Sequence, residues 1–253
     1  MTTLQTRHLH CFIEGKPLLH DINIEVNEHD FIGIVGPNGC GKSTLLSHIA
    51  GILPIKEGDV LLNGQSIQTM KQRQLAKEVA VVNQIQHVPF EFKVHEVVEM
   101  GRFPHKRLLE RDNHHDEEVV EQALRQMGML DCFYDNFYHL SGGQQQRVLI
   151  AKALAQETEM IILDEPTNHL DIQYQIQVFD TLKEMNVTVL TALHDLNIAS
   201  IYCDQAYVLH NGQCQTTGAP QDILTPQLLQ DVFGVDAHVY HEPFAISYQK
   251  QAS

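Results

Sequence analysis

The sequence predicts an α/β fold, a mostly parallel sheet covered by helices on both faces, with a small antiparallel β layer and a helical insertion. Three observations predict it. Short, largely apolar runs (Phe31–Val35, Met160–Leu163 and Val187–Leu193) recur with helical periods between them. Apolar strands alternating with helices give a parallel sheet buried on both sides. Residues 4–30 instead alternate loosely between apolar and polar, as in Ile22–Val26, which marks a half-buried antiparallel layer. From about Ile85 to Asn136, charges, histidines and two prolines replace the strand runs, and helical periods take over.

Gly58 to Leu62 and Ile67 read as a continuation of the antiparallel layer. Ala80–Val82 is a short buried strand ending at Asn83 and Gln84. In Asp116–Met127, Val119, Val120, Ala123, Leu124 and Met127 form one helical stripe, and Gly128 stops it. Ser141 opens another helix, with Gln144 three residues on completing a capping box. Met160–Asp164 is a buried strand, and Asp171–Met185 is a helix with Ile172, Ile176, Phe179 and Leu182 on one side. Val187–Leu193 and Ala206–Leu209 are further strands. After Gly218 the chain predicts a short helix near Pro226–Phe233 and two terminal strands. The expected organisation is one domain, with a core of residues 1–84 and 158–253 and a helical subdomain of about 85–157.

The 253 residues suffice for one large α/β domain, and a hydrophobic content of 43% is ordinary for a globular protein. The net charge of -15 disfavours nucleic acid or anionic lipid as a partner, because both need clustered Lys and Arg. Five scattered cysteines, Cys11, Cys40, Cys132, Cys203 and Cys214, suit a reducing cytoplasm. Neither a signal peptide nor a membrane span is expected, since MTTLQTRHLH has no apolar core and the longest uncharged stretch is rich in Gln, Asn, Gly and Thr.

The stretch Gly36–Thr44, GPNGCGKST, fits G-x-x-x-x-G-K-[ST] between an apolar strand and a helix. That order makes it a phosphate-binding loop. Gly36, Asn38, Gly39, Cys40 and Gly41 supply backbone N–H groups that converge on phosphate oxygens where no Cβ intervenes. The helix N-terminus adds its dipole. Lys42 supplies a cation for the β- and γ-phosphates, and the Ser43 hydroxyl is placed to ligate Mg²⁺. Thr44 follows as the next nucleotide-contacting residue. Cys40 reads either as a reactive thiol or as a small residue that fits.

Asp164 and Glu165 end an apolar strand, where open α/β sheets bind ligands. Asp164 can hold Mg²⁺ through water, and Glu165 can act as general base toward the attacking water. Leu140–Gln144, LSGGQ, puts Gly142 and Gly143 at a helix N-terminus. This is either a second anion site or an ordinary capped start. His194 and Gln84 stand at strand ends; a lone histidine there is more often structural than functional, and Gln84 alone is ambiguous. His105, His114 and His115 show no metal-ligand spacing and read as a solvated loop.

Taken together, GPNGCGKST, Gln84, LSGGQ, MIILDEPT, Asp171 and His194 resemble, in order and spacing, the motif set of an ABC-type ATPase subunit. The resemblance covers nearly the whole chain. It implies a P-loop NTPase core that hydrolyses ATP with Mg²⁺, in a homodimer packed head to tail on ATP binding. Each ATP would lie between one copy's phosphate loop and the other's Ser141, Gly142, Gly143 and Gln144. Gln84 and His194 would sense Mg²⁺ and the γ-phosphate, and Asp171 would link the two sites. Gly101–His105 and His194–Asn197 resemble the subset that powers iron–siderophore, haem and cobalamin importers. The implied partners are integral membrane permease subunits and, indirectly, a substrate-binding protein, with the chain on the cytoplasmic face of the membrane. A soluble ABC-type ATPase with a non-transport role, or an importer ATPase for another substrate such as a metal ion, is the alternative.

Three positions depart from that pattern. Ile13 stands where an aromatic usually stacks on adenine, so Phe12 beside it is assigned the contact. Asn83 replaces a common proline, and His29–Asp30 replaces a Gly-Glu turn. The segment Ile85–Arg111 is the expected docking surface for the permease, because its apolar Val88, Phe90, Phe92, Val94 and Phe103 exceed what a solvated loop carries.

Overall fold

The computed structural model describes residues 2–13, 15–83, 91–106, 113–168, 170–242 and 244–249. The chain forms two compact units, Met1–Met70 with Thr188–Ser253, and Lys71–Val187.

The first unit opens with the antiparallel layer. β1 (Thr2–Ile13) pairs with β2 (Lys16–Ile22), and also with β3 (Glu25–Asn27). β2 buries Leu19 and Ile22, three residues apart, so the strict two-residue alternation of a regular strand is broken, with Asp21 between them at φ +53° and a register shift in the pairing with β1. β4 (Phe31–Val35) is buried at every residue. It leads through the glycine loop into α1 (Lys42–Ile49). β5 (Glu57–Leu62) returns to β1 and is followed by the two-residue β6 (Gln65–Ser66). Ile67 is buried but opens a 3₁₀ turn instead of extending the layer.

The second unit begins with α2 (Gln72–Glu78) and β7 (Val79–Val82). Next come α3 (Val94–Glu99) and α4 (His114–Gln126). Asn113 caps α4: its side chain accepts from the Asp116 N–H at 3.0 Å. Val120, Ala123, Leu124 and Met127 are buried, and Gly128 ends the helix at φ +62°. α5 (Gly142–Ala155) starts at Ser141 through a capping box, with Gln144 N–H to Ser141 Oγ at 3.3 Å and Ser141 N–H to Gln144 Oε1 at 2.9 Å. β8 (Met160–Asp164) is wholly buried and pairs in parallel with β7. α6 (Ile172–Glu184) closes the unit. Phe179 and Leu182 are buried on it, but Ile172 and Ile176 are 73% and 42% exposed. The predicted apolar side therefore covers only the later turns of α6.

Back in the first unit, β9 (Thr188–Leu193) is buried throughout and lies parallel to β4. α7 (Leu196–Tyr202) and β10 (Gln205–His210) follow, with β10 parallel to β4 on its other side. β11 (Gln213–Gly218) is antiparallel to β10. Two short helices, α8 (Pro220–Ile223) and α9 (Pro226–Leu228), precede the terminal hairpin of β12 (Ala237–His241) and β13 (Phe244–Tyr248). Asn197 on α7 holds the hairpin by exchanging hydrogen bonds with the Ile246 backbone.

Among the apolar residues of the predicted docking segment, Val94 is fully buried and Phe92 half-buried, while Phe103 is 63% exposed. Val94 belongs to the packed core of its unit because α3 lies against α4 and α5. Val88 and Phe90 lie outside the described residues.

α1 also buries His48, at 5% exposure. Burial penalises the charged imidazolium and lowers its pKa, outweighing the opposing influence of the Leu53 backbone. Below the ordinary histidine value of about 6.5, the unfolded chain then binds more protons than the folded one. Stability therefore falls on acidification through that window. Melting temperatures between about pH 7.5 and 5.5 should drop more steeply for the native chain than for His48→Gln. Equal slopes would contradict this account.

Candidate functional site

The first unit carries the Gly36–Thr44 glycine loop. Two glycines in it are required by shape. A Cβ on Gly36 would collide with the Leu209 carbonyl of β10. At the helix N-cap, Gly41 has φ +107°, and a Cβ there would stand 2.6 Å from Leu19 Cδ2. The backbone can thus fold tightly enough for its N–H groups and those of α1 to face one point. The Lys42 side chain is buried, and its Nζ donates to Gly36 O at 2.8 Å and Pro37 O at 3.3 Å. The ammonium is thereby curled over the loop that it serves. Asn38, Gly39 and Ser43 are exposed, and Thr44 is half-buried. Cys40 is buried, and burial pushes its thiol pKa up despite the nearby Lys42. It is a protonated thiol at neutral pH and packs as a small apolar residue.

Strand register brings His194 to this end of the sheet. Val35 pairs with Leu193 across β4 and β9, so Gly36 and His194 leave neighbouring parallel strands at the same end. His194 is exposed there. The Asp195 side chain accepts from Asn197 N–H at 2.8 Å and Ile198 N–H at 3.2 Å, capping α7 and fixing the turn that holds the histidine.

Beside the loop lies a cavity of about 270 Å³. Phe12 and Ile13 from the end of β1 line it, with Thr44 and His48 from α1 and Leu53 and Lys56 from the chain that follows α1. Its surface is mainly apolar. Phe12 is 42% exposed and Ile13 54%, so both present apolar surface to a ligand. His48, Leu53 and Lys56 were not identified from the sequence. The i, i+4 spacing of Thr44 and His48 on α1 was the available signal for one of them.

The second unit carries the carboxylates and the LSGGQ helix start. Asp164 ends β8 and is buried. Glu165 follows at φ +52°, a left-handed conformation uncommon for a residue with a side chain. Asn168 restrains it: the side-chain Nδ2 donates to Glu165 Oε2 at 2.6 Å, and the Asn168 N–H bonds Glu165 O at 3.2 Å. Strain held in place by neighbours is typical of a working residue. Val82 pairs with Leu163, so β7 and β8 also end together. Gln84, just past that end, lies outside the described residues.

Ser141 and Gly142 are exposed at the start of α5, and Gly143 and Gln144 are half-buried. Further along α5, the Arg147 guanidinium lies 3.9 Å from the Tyr174 ring centroid on α6, and its Nη1 donates to Met127 O at 3.1 Å. These contacts tie the LSGGQ helix to its neighbours. Asp171 is the N-cap residue of α6 and is exposed. His105 bonds the Gln156 carbonyl, while His114 and His115 pair with Glu118 and Glu157.

A family model described as ABC transporter matches residues 19–168. The achromobactin transport ATP-binding protein CbrD of Dickeya dadantii is 38% identical over 248 residues, covering 96% of this chain and 92% of the relative. The iron(3+)-hydroxamate import ATP-binding protein FhuC of Bacillus subtilis is 37% identical over 247 residues, covering 96% and 92%. Among solved structures, an inward-facing metal-chelate type ABC transporter aligns with a TM-score of 0.83 at 28% identity, covering 99% of both chains. The chain belongs to the ABC transporter family.

Proposed function

We propose that this chain is the ATP-hydrolysing subunit of an importer that draws an iron complex or cobalamin through a membrane permease. The observation that carries the reading is the intact Glu165, held in a left-handed turn by Asn168 directly after the buried Asp164. A nucleotide-gated binding module would have no use for a restrained base at that position. Relatives named for achromobactin transport and iron(3+)-hydroxamate import favour an iron chelate of the siderophore class as the cargo.

The phosphates of ATP are received by the N–H groups of the Gly36–Thr44 loop. Lys42 turns from the loop carbonyls to the β- and γ-phosphates. By resemblance, Ser43, Asp164 and Gln84 would each give an oxygen donor of the kind Mg²⁺ takes. When bound, the ion neutralises phosphate charge. Glu165 accepts a proton from water as the water oxygen bonds the γ-phosphorus and the bond to ADP breaks. His194 steadies the γ-phosphate. Two copies pack head to tail, and Ser141, Gly142, Gly143 and Gln144 of one copy close on the ATP held by the other. Asp171 lies between the paired sites. The base enters the cavity at the end of β1, where Phe12 provides an aromatic face.

Among the described residues, no helix is long and apolar enough to cross a membrane. By resemblance, membrane association runs through permease subunits, which in turn receive cargo from a substrate-binding protein. Residues 85–111 dock on the permease, with the exposed Phe103 as an anchor.

Lys42→Ala should remove most ATP affinity. Glu165→Gln should keep ATP but lose about 10²–10⁴ in hydrolysis rate, as removal of a general base does. The same variant should sediment as a monomer alone and as a dimer with ATP. Binding, single-turnover and sedimentation measurements test this together. Near-native hydrolysis by Glu165→Gln would sink the assignment of the base, and a monomer at saturating ATP would count against the paired site.

Base stacking on an aromatic ring is worth roughly 1–3 kcal/mol. Phe12→Ala should therefore weaken ATP binding about five- to 150-fold while leaving tripolyphosphate binding unchanged. Equal ATP affinity in both chains would move the base contact away from Phe12.

A further inference from the structure

The turn Gly101–Lys106 lies in the same compact unit as the LSGGQ helix α5, at the opposite end of that helix from Ser141. Its attachment is unusually dense. Arg102 is buried at 4% exposure and makes three charge-assisted or backbone bonds. Nε donates to Asp116 Oδ1 at 2.9 Å, and Nη1 donates to Ala155 O at 2.7 Å and to Glu157 Oε2 at 2.6 Å. Ala155 is the last residue of α5, so the guanidinium binds one of the carbonyls that a helix leaves unpaired at its C-terminus. His105 bonds the next carbonyl, Gln156 O, at 2.7 Å.

Two further contacts press the turn onto α5. A Cβ on Gly101 would collide with Lys152 O, so only glycine permits this approach. Arg73 on α2 donates to Pro104 O at 3.0 Å and also to Lys106 O. Lys106 in turn approaches Asp116 Oδ2 at 3.6 Å. Amid these constraints, Phe103 remains 63% exposed. A large apolar side chain is thus held out to solvent by a turn whose neighbours on either side are fixed.

A buried guanidinium is an expensive way merely to stabilise a fold, because desolvation offsets much of the Coulomb gain. What it provides is geometry. Its planar fork bonds α5, α4 and Glu157 at once, which a single point charge cannot do. We propose that Arg102 is a positioning residue that locks the Phe103 turn to the C-terminal end of α5. A nucleotide phosphate that draws the Ser141 end of the helix then also moves Phe103, as one rigid piece. This inference rests on the proposed ATP-driven closure at Ser141 and assigns the Gly101–His105 motif its task within it.

Hydrogen exchange on the whole chain tests the link without a permease. In the Glu165→Gln background, saturating ATP should slow exchange at residues 142–145 and change it at 101–106. Arg102→Lys keeps the charge but loses the fork. With it, the change at 142–145 should persist while that at 101–106 shrinks to less than about a third. Glu157→Gln removes one of the three bonds at a half-exposed partner, and so provides a second variant that folds. It should give an intermediate loss. If both variants keep the full change at 101–106, the link is wrong although the closure stands. No change at 142–145 in the parent would overturn the closure reading, and this inference with it.

Discussion

The proposed site depends on one demand, that a chain segment gather several N–H groups and a cation around a phosphate without filling the space itself. Gly36 and Gly41 satisfy the steric part, since a Cβ at either would meet the Leu209 carbonyl or the Leu19 side chain. Lys42 supplies the charge, and its Nζ rests on Gly36 O and Pro37 O. A flexible surface loop could not hold this shape. The rigidity comes from β4, buried at every residue and flanked in parallel by β9 and β10.

That arrangement explains where the other chemistry sits. Parallel strands all deliver their C-terminal ends to one side of the sheet. Gly36 and His194 leave β4 and β9 side by side, because Val35 is paired with Leu193. In the other unit, β7 and β8 end together in the same way, and the strained Glu165 emerges from β8. α5 adds a glycine-rich helix start, whose cap at Ser141 is closed by reciprocal bonds to Gln144. The two units thus each carry part of the machinery of an ABC transporter ATPase.

Much of this was legible in the sequence because the responsible residues act locally. Phe31–Val35 and Met160–Asp164 read as buried strands since every side chain is apolar up to the final carboxylate. The α5 start was legible because a capping box is written in two residues. Edge strand β11, QCQTTG, was not, since a strand with a wet face needs few apolar residues. α2, α3 and α7 were missed because helices of six or seven residues carry under two turns of period. Ile172 and Ile176 fit the helical stripe of α6 but stand at its exposed end, a fact set by tertiary packing alone. In the proposed site, the Gly36–Thr44 loop and the Asp164–Glu165 pair are readable from motif and strand end, whereas the roles of Gln84, His194 and Asp171 rest on resemblance. The cavity beside Phe12 was only partly legible, because Leu53 and Lys56 reach it through the loop after α1.

The central claim is that the Gly36–Thr44 loop binds nucleotide through its β- and γ-phosphates. Calorimetric titration of the purified chain with ATP and with AMP, both with Mg²⁺, tests it most directly. Hydrogen bonds to charged groups contribute about 1.5–3 kcal/mol each, so AMP, lacking both phosphates, should bind at least about a hundredfold more weakly than ATP. Equal affinity for the two nucleotides would contradict the account, because the base and ribose would then carry the binding and the loop would carry none.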